Sequence, residues 1–390
     1  MQVVDDEQRR ARLGTRHALA TRVDTVEAVA AAMVGLHATD PATVYLATRA
    51  RMPTFADTEL EDALYDRRSL VRMLGMRRTM FVVPIDLAAV MDAACTKALA
   101  PPQRRRLIAM LEEQGVARDG ARWLRRVERA TMSALHERGE ATASELVTMV
   151  PDLGKKLTFG EGKAWGAEVG VSTRVLFLLA TDGVIVRGRP RGSWLSSQYR
   201  WVPTDTWLGA PLDQLDRGTA SAELLRRWLF AFGPATVTDI RWWTGWTAAQ
   251  TKATLASVDT AAVALDDGAP AFLLADDTEP LATPEPWVAL LPSLDSTVMG
   301  WKERDWYLGE HASSLFDRNG NAGPTVWADG RVIGGWGQGA DGSIAVALLE
   351  RVDRATRARV RQEQTTLAEC LGDIRIIPRF RTPLEKELKG

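Results

Sequence analysis

Gly139-Glu-Ala-Thr-Ala-Ser-Glu-Leu146 returns 94 residues later as Gly233-Pro-Ala-Thr-Val-Thr-Asp-Ile240. In each copy a threonine stands three residues before an acid, Thr142 with Glu145 and Thr236 with Asp239. That is the spacing of a capping box, which starts a helix sharply after a turn. Each copy follows an amphipathic stretch, about 123–136 and 220–232, and precedes a pair of strand-like runs, Gly183 to Val202 and Ala261 to Leu274. Helix, tight turn, helix and hairpin in that order reads as a winged helix, an architecture that binds duplex DNA.

A third unit of the same order opens the chain. Asp24-Thr-Val-Glu27 starts a helix with Val26, Val29, Met33 and His37 on one stripe. A second helix spans Pro41 to Arg51 and a third about Thr58 to Asp66, and the runs 70–76 and 78–83 read as the strands of its wing. The expected organisation is therefore mainly α with β: three tandem winged-helix units at 1–90, 121–205 and 206–280, the first two joined by a basic helical linker at 91–120. Trp242, Trp243 and Trp246 read as core of the third unit.

Composition narrows the function. With 390 residues and 46% hydrophobic content the chain has apolar mass for two to four packed domains. No run of 18 apolar residues occurs and the N-terminus lacks the apolar stretch of a signal peptide, so the expected location is the cytoplasm, associated with the nucleoid. Cys95 and Cys370 stand far from each other and from His17, His37, His136 and His311, so no disulfide framework and no zinc-ligand spacing can be assembled; no metal or cofactor is expected. The net charge of -1 hides an asymmetry: residues 1–201 carry 30 Lys/Arg against 24 Asp/Glu, residues 202–285 carry 5 against 12, and the remainder 14 against 14.

The basic excess points to phosphate. Arg77 and Arg78 fall in a cluster with Arg67, Arg68 and Arg72, and Arg122 and Arg126 recur at helical spacing with Arg125 and Arg129. Arg outnumbers Lys 41 to 8 in an Ala-rich chain, a bias that a high-GC genome produces unaided, so each cluster also reads as a solvated face. Arg187, Arg189 and Arg191, in Arg187-Gly-Arg-Pro-Arg-Gly192, are placed on the tip of the second wing, with the reach to enter a groove. Trp165, in a Gly-rich loop of the second unit, is a candidate for stacking on a base or for packing under the wing.

After the acidic, Pro-rich stretch 276–286 the texture changes. Short apolar runs (287–291, 324–327, 332–336, 344–349) alternate with Gly/Asn/Asp turns, which reads as a small antiparallel barrel or sheet over 287–390. A helix at about 355–371 crosses it before a last strand near 374–380. Gly334-Gly-Trp-Gly-Gln-Gly339 has no helix after it, and Gly162-Lys163 is followed by Ala164, so neither is a phosphate loop.

Four segments carry a resemblance: Val34-Gly-Leu-His-Ala-Thr-Asp-Pro-Ala-Thr-Val-Tyr45, residues 69–81, Ser172-Thr-Arg-Val-Leu-Phe177 and residues 290–301. Together they resemble the bacterial winged-helix DNA glycosylases of the AlkZ and YcaQ type, over nearly the whole chain. The resemblance implies tandem winged helices and a C-terminal β-barrel closing a C shape around duplex DNA. It implies hydrolysis of the N-glycosidic bond of N7-alkylated purines, or unhooking of interstrand crosslinks, by a monomer. Asp295, Trp301 and Arg304 fall in a family-like segment and would line the site, although a Trp in a β domain is more often core.

The family's catalytic signature is a Gln, an apolar residue, then Gln or Asp. The matching positions here are His37-Ala38-Thr39, and both polar members differ. N-glycoside hydrolysis passes through a cation-like sugar, and an N7-alkylated purine is already a cationic leaving group, so placing the water is the main demand. A neutral imidazole at His37 can hold that water, Thr39 can bond it, and Asp40 can stabilise the cation. Asp40 and Pro41 also read as a helix start, with Asp40 accepting from the Thr43 amide, and His37 as a core histidine near a helix end. A non-catalytic winged-helix DNA-binding or regulatory protein and a protein-interaction scaffold stand as alternatives.

Overall fold

The computed structural model describes residues 2–159 and 166–389. It opens with α1 (Asp6–Arg16), after which one order of elements occurs three times. The first instance runs α2 (Val26–Ala32), β1 (Leu36–His37), α3 (Pro41–Arg49), α4 (Asp57–Glu61, continued by a π turn at Asp62–Asp66), β2 (Leu70–Leu74) and β3 (Met80–Pro84). Its strands lie in the order β1, β3, β2. A connection of α5 (Ile85–Met91), a π turn (Asp92–Thr96) and α6 (Ala100–Glu113) leads to the second instance. That one has α7 (Gly120–Arg138), α8 (Ala143–Met149), an inserted hairpin of β4 (Lys156–Phe159) and β5 (Ala167–Gly170), α9 (Val171–Thr181), and a hairpin of β6 (Ile185–Pro190) and β7 (Tyr199–Pro203). After α10 (Thr204–Leu208) the third follows: α11 (Arg217–Phe232), α12 (Val237–Thr244), α13 (Ala248–Leu255), β8 (Thr260–Ala264) and β9 (Pro270–Leu274).

In all three, the residues after the first helix pair with the second strand of the hairpin. β1 does so with β3, while Ala141 bridges Trp201 and Ala235 bridges Phe272. The two repeated octapeptides supply this bridge and the helix start that follows it. Gly139 ends α7 at a φ of 85°, where a side chain would be strained. Two residues later the chain is extended, and both capping boxes then form: Thr142 accepts from the Glu145 amide while Glu145 accepts from the Thr142 amide, and Thr236 and Asp239 do the same. Two otherwise orphaned N–H groups are satisfied at each start.

The last region holds β10 (Val288–Leu291), α14 (Asp305–Leu308), α15 (Ala312–Leu315), β11 (Thr325–Ala328), β12 (Arg331–Gln338), β13 (Ile344–Leu348), α16 (Arg354–Leu371) and α17 (Pro383–Lys389). Its four strands form an open antiparallel sheet, β10, β11, β12, β13, so the expected barrel does not close. Alternation along each strand explains why. Val288, Leu290, Val326 and Ile333 pack with Val360, Leu367 and Leu371 of α16, while Ala289, Leu291, Trp327 and Val332 turn into the main core with Leu384 of α17. Both faces are covered by helices, and the sheet has no need to curl on itself.

Residues 374–380, expected as a strand, form none. Pro378 interrupts the run, and the Gln338 side chain takes the place of a ladder, donating to Ile374 O at 3.0 Å and accepting from Ile376 N at 2.8 Å. The main hydrophobic cluster joins the first and third units to the sheet, whereas most of the second unit packs round a core of its own. No helix among the described residues is long and apolar enough to cross a membrane.

Candidate active site

The His37-Ala38-Thr39 positions lie on a turn between strand and helix. α2 stops at Ala32 because Val34 and Gly35 take positive φ values of 51° and 120°. A Cβ at Gly35 would stand 2.9 Å from Val83 Cγ1, so glycine is needed for the close approach. Leu36 and His37 then pair with Val82 and Phe81. This corrects the helical stripe expected through His37: Val26 and Val29 lie on α2 and Met33 caps it, but His37 is on a strand. Asp40 is the N-cap of α3 with Pro41 in the first turn. Its Oδ1 accepts from Ala42 N at 3.1 Å, in place of the expected Thr43 amide, and its Oδ2 accepts from Arg379 N at 2.9 Å.

His37 is 7% exposed and its ring meets Phe81 edge-on at 5.6 Å. Its backbone N–H donates to Ser296 Oγ at 3.0 Å, and that hydroxyl donates to Gly35 O at 3.0 Å, so the last region clamps the turn. Nδ1 is buried with no hydrogen-bond partner among the described residues. Burial first, then the charge of Arg77, pushes the imidazole down to about 3, which makes it neutral at neutral pH. Thr39 is half-buried, and its hydroxyl makes no hydrogen bond among the described residues.

Arginines surround this turn. Arg77, at a φ of 53° in the first hairpin, lies 4.0 Å over the ring of Trp242. Burial, then the nearby Arg304, lowers its guanidinium to about 10. Arg304 covers the same Trp242 at 5.2 Å and Phe316 at 4.7 Å. Trp242 is half-buried and packs against the edge of the main core, in which Trp243 and Trp246 are buried.

The expected wing tip needs correcting. Arg187 and Arg189 lie within β6, and Arg191 alone stands at the exposed turn. Arg187 packs over Tyr199 at 5.4 Å and Trp201 at 5.1 Å. Arg189 is held by Glu61 at 2.9 Å and Asp66 at 3.1 Å, pinning the second hairpin to the first unit. Among the others, Arg78 is exposed and lies over Phe177, Arg122 is exposed on α7, and Arg126 pairs with Asp152 at 2.9 Å.

Two supposed lining residues stand behind the site. Asp295 is fully buried and chelates Arg51 at 2.7 and 2.9 Å, and Trp301 is a core residue whose Nε1 donates to Phe232 O at 3.0 Å. Trp165 lies outside the described residues. No group of three His, Cys, Asp or Glu placed to hold a metal ion occurs among the described residues.

Two further residues touch the turn: Arg72, read from the sequence only as a member of a basic cluster, and Arg379, which the sequence did not single out. Arg72 is 1% exposed, donates to Ala38 O at 3.1 Å and lies over Tyr199 at 4.7 Å. An arginine in the middle of Leu70-Val-Arg-Met-Leu74, a strand buried at every position, was the available signal. Arg379 donates from its guanidinium to Thr39 O at 3.3 Å, and no local pattern marks it.

A family profile for the AlkZ-like DNA glycosylases matches residues 30–372, which include the His37–Asp40 turn. Among solved structures, the chain superposes on the Streptomyces sahachiroi DNA glycosylase AlkZ with a TM-score of 0.72 at 22% identity, covering 96% of this chain and 99% of that one. No protein of curated function matches the chain in sequence. At that identity the structural likeness establishes the fold, while the profile spans most of the chain: the protein belongs to the AlkZ-like DNA glycosylase family.

Proposed function

We propose that the protein is a monofunctional DNA glycosylase that hydrolyses the N-glycosidic bond of N7-alkylated purines, or of interstrand crosslinks, in double-stranded DNA. The three repeated units are read as winged helices that grip the duplex, and the chain works as a monomer. The observation that carries the reading is the neutral imidazole of His37, whose Nδ1 has no partner among the described residues, two residues before the open hydroxyl of Thr39, at the positions that match the family's catalytic signature. A base whose conjugate acid lies near 3 is too weak to strip a proton from water before the C–N bond breaks. The bond electrons therefore leave with the cationic purine first. The sugar cation, next to the Asp40 carboxylate, is then captured by the water that His37 and Thr39 hold, and the proton passes through the imidazole to solvent.

The test is release of free base from duplexes carrying N7-methylguanine or an N7-linked crosslink, scored by strand cleavage at abasic sites. His37→Ala should slow release by about 10² to 10³, roughly 3 to 4 kcal/mol, with duplex binding unchanged. Normal release by the variant would remove His37 from the chemistry. A second reading, a duplex-binding protein without excision, is favoured by the replacement of both polar motif residues; salt-sensitive binding without release by the wild type would select it.

A further inference from the structure

Two guanidiniums from distant parts of the chain touch the Ala38–Asp40 turn, Arg72 of β2 and Arg379 near the C-terminus, and Arg187 of β6 lies within reach of the charge of both; none of the three forms an ion pair among the described residues. Arg72 donates to Ala38 O and Arg379 to Thr39 O, so two adjacent carbonyls are answered by two arginines. Arg187 and Arg72 lie on the same Tyr199 ring, 5.4 and 4.7 Å from its centroid. The Nε atoms of both are buried without an acceptor. Burial, then the charge of Arg72, and also that of Arg379, lower the Arg187 guanidinium to about 10. Arg189, two residues along the same strand, has two carboxylates. One arginine of the strand is thus paired twice, while its neighbour stands among like charges with no carboxylate among the described residues, an arrangement that an anion would stabilise.

We propose that this cluster is the seat of one backbone phosphate of the bound duplex, next to the nucleotide being excised. Arg187 and the exposed Arg379 contact the phosphodiester. Arg72, almost wholly buried, is a positioning residue that fixes the Ala38 carbonyl and adds charge. Arg379 lies beyond residue 372, where the family match ends, so this seat includes a residue outside the matched stretch. The inference rests on the duplex-DNA reading above and ties phosphate binding to the turn that carries His37.

The experiment pairs protein and DNA changes. Wild type and Arg187→Met are bound to duplexes with an N7-methylguanine on a 2′-fluoro sugar, which resists excision, and with single neutral methylphosphonates placed in turn around the lesion. In wild type, one position near the lesion should cost about tenfold in affinity. In Arg187→Met that same position should cost less than about twofold further while the others keep their effects, and the slope of log affinity against log salt should fall by about 1. Arg379→Gln should couple to the same phosphate. The melting temperature of free Arg187→Met should change little, since the variant loses no ion pair, Met still fills the space against Tyr199 and Trp201, and the relieved repulsion offsets the lost cation–π contacts. Independence of Arg187 from every phosphate position, or a melting temperature that falls without such coupling, overturns the proposal. Base release by wild type without coupling defeats the phosphate seat and leaves the glycosylase reading standing. Coupling without base release does the reverse, and absence of duplex binding overturns both.

Discussion

Two clusters built from the same residue types meet at the 295–297 stretch and differ in one respect. In the first, all five N–H donors of Arg51 are used: on His17 O, on Ala47 O, on both oxygens of Asp295 and on Thr297 Oγ1. His17 is answered at both nitrogens, by Thr297 Oγ1 at 3.0 Å and Ala231 O at 3.1 Å. In the second, among the described residues, His37 has a buried Nδ1 with no partner and Arg187 has aromatic rings but no anion. Asp295 and Thr297 serve the first cluster; Ser296 between them holds His37 in the second. Polar groups satisfied inside the fold fasten its parts together, here the first and third units and the sheet. Groups left open among the described residues are the positions at which the proposed substrate contacts can be tested.

The largest effect that can break this contrast is Asp295→Ala. It leaves a fully buried Arg51 without its counter-charge and should cost about 3 to 5 kcal/mol in urea unfolding. A loss under about 1 kcal/mol would show that the cluster is no fastening.

Acid comes next. His17 and His37 are both pushed down to about 3, His17 mainly by burial and then by Arg51. Unfolded histidine takes up its proton near pH 6.5. The stability from keeping each ring neutral is thus fully present above pH 6.5 and is lost as pH falls toward 3, by about 2 kcal/mol per histidine at pH 5. His37→Gln should flatten the slope of unfolding free energy against pH between 6.5 and 4, and an unchanged slope would place that ring in water.

The smallest effect compares the two helix starts. Thr142→Ala should cost about 1 kcal/mol, the usual worth of a cap. Thr236→Ala should cost up to about 2 kcal/mol, because Asp239 also accepts from Lys302 N and Glu303 N and joins α12 to the last region. Equal melting temperatures for the two variants would make that junction energetically silent.

Legibility in the sequence followed range. The two capping boxes, the Asp40-Pro41 helix start and the hairpins at 185–203 and 260–274 were readable because each depends on residues a few positions apart. Helical periodicity suggested that His37 continued the stripe of α2, and it failed because positive φ at Val34 and Gly35 breaks the helix before that residue. Short apolar runs between turns were equally compatible with a barrel and an open sheet. The choice fell to α16 and α17, which cover its two faces.

The sequence alone therefore determined the repeated order of helices and hairpins and the helix start at Asp40, since caps and alternation are local physics. Tertiary structure decided which charges are answered. Arg51 finds Asp295 across 244 residues and Arg189 finds Glu61 across 128, while Arg187, one alternation away, finds none among the described residues. An arginine codon specifies a charge and its reach. Only the packing of distant segments settles whether a carboxylate stands within that reach or the position is left for a phosphate.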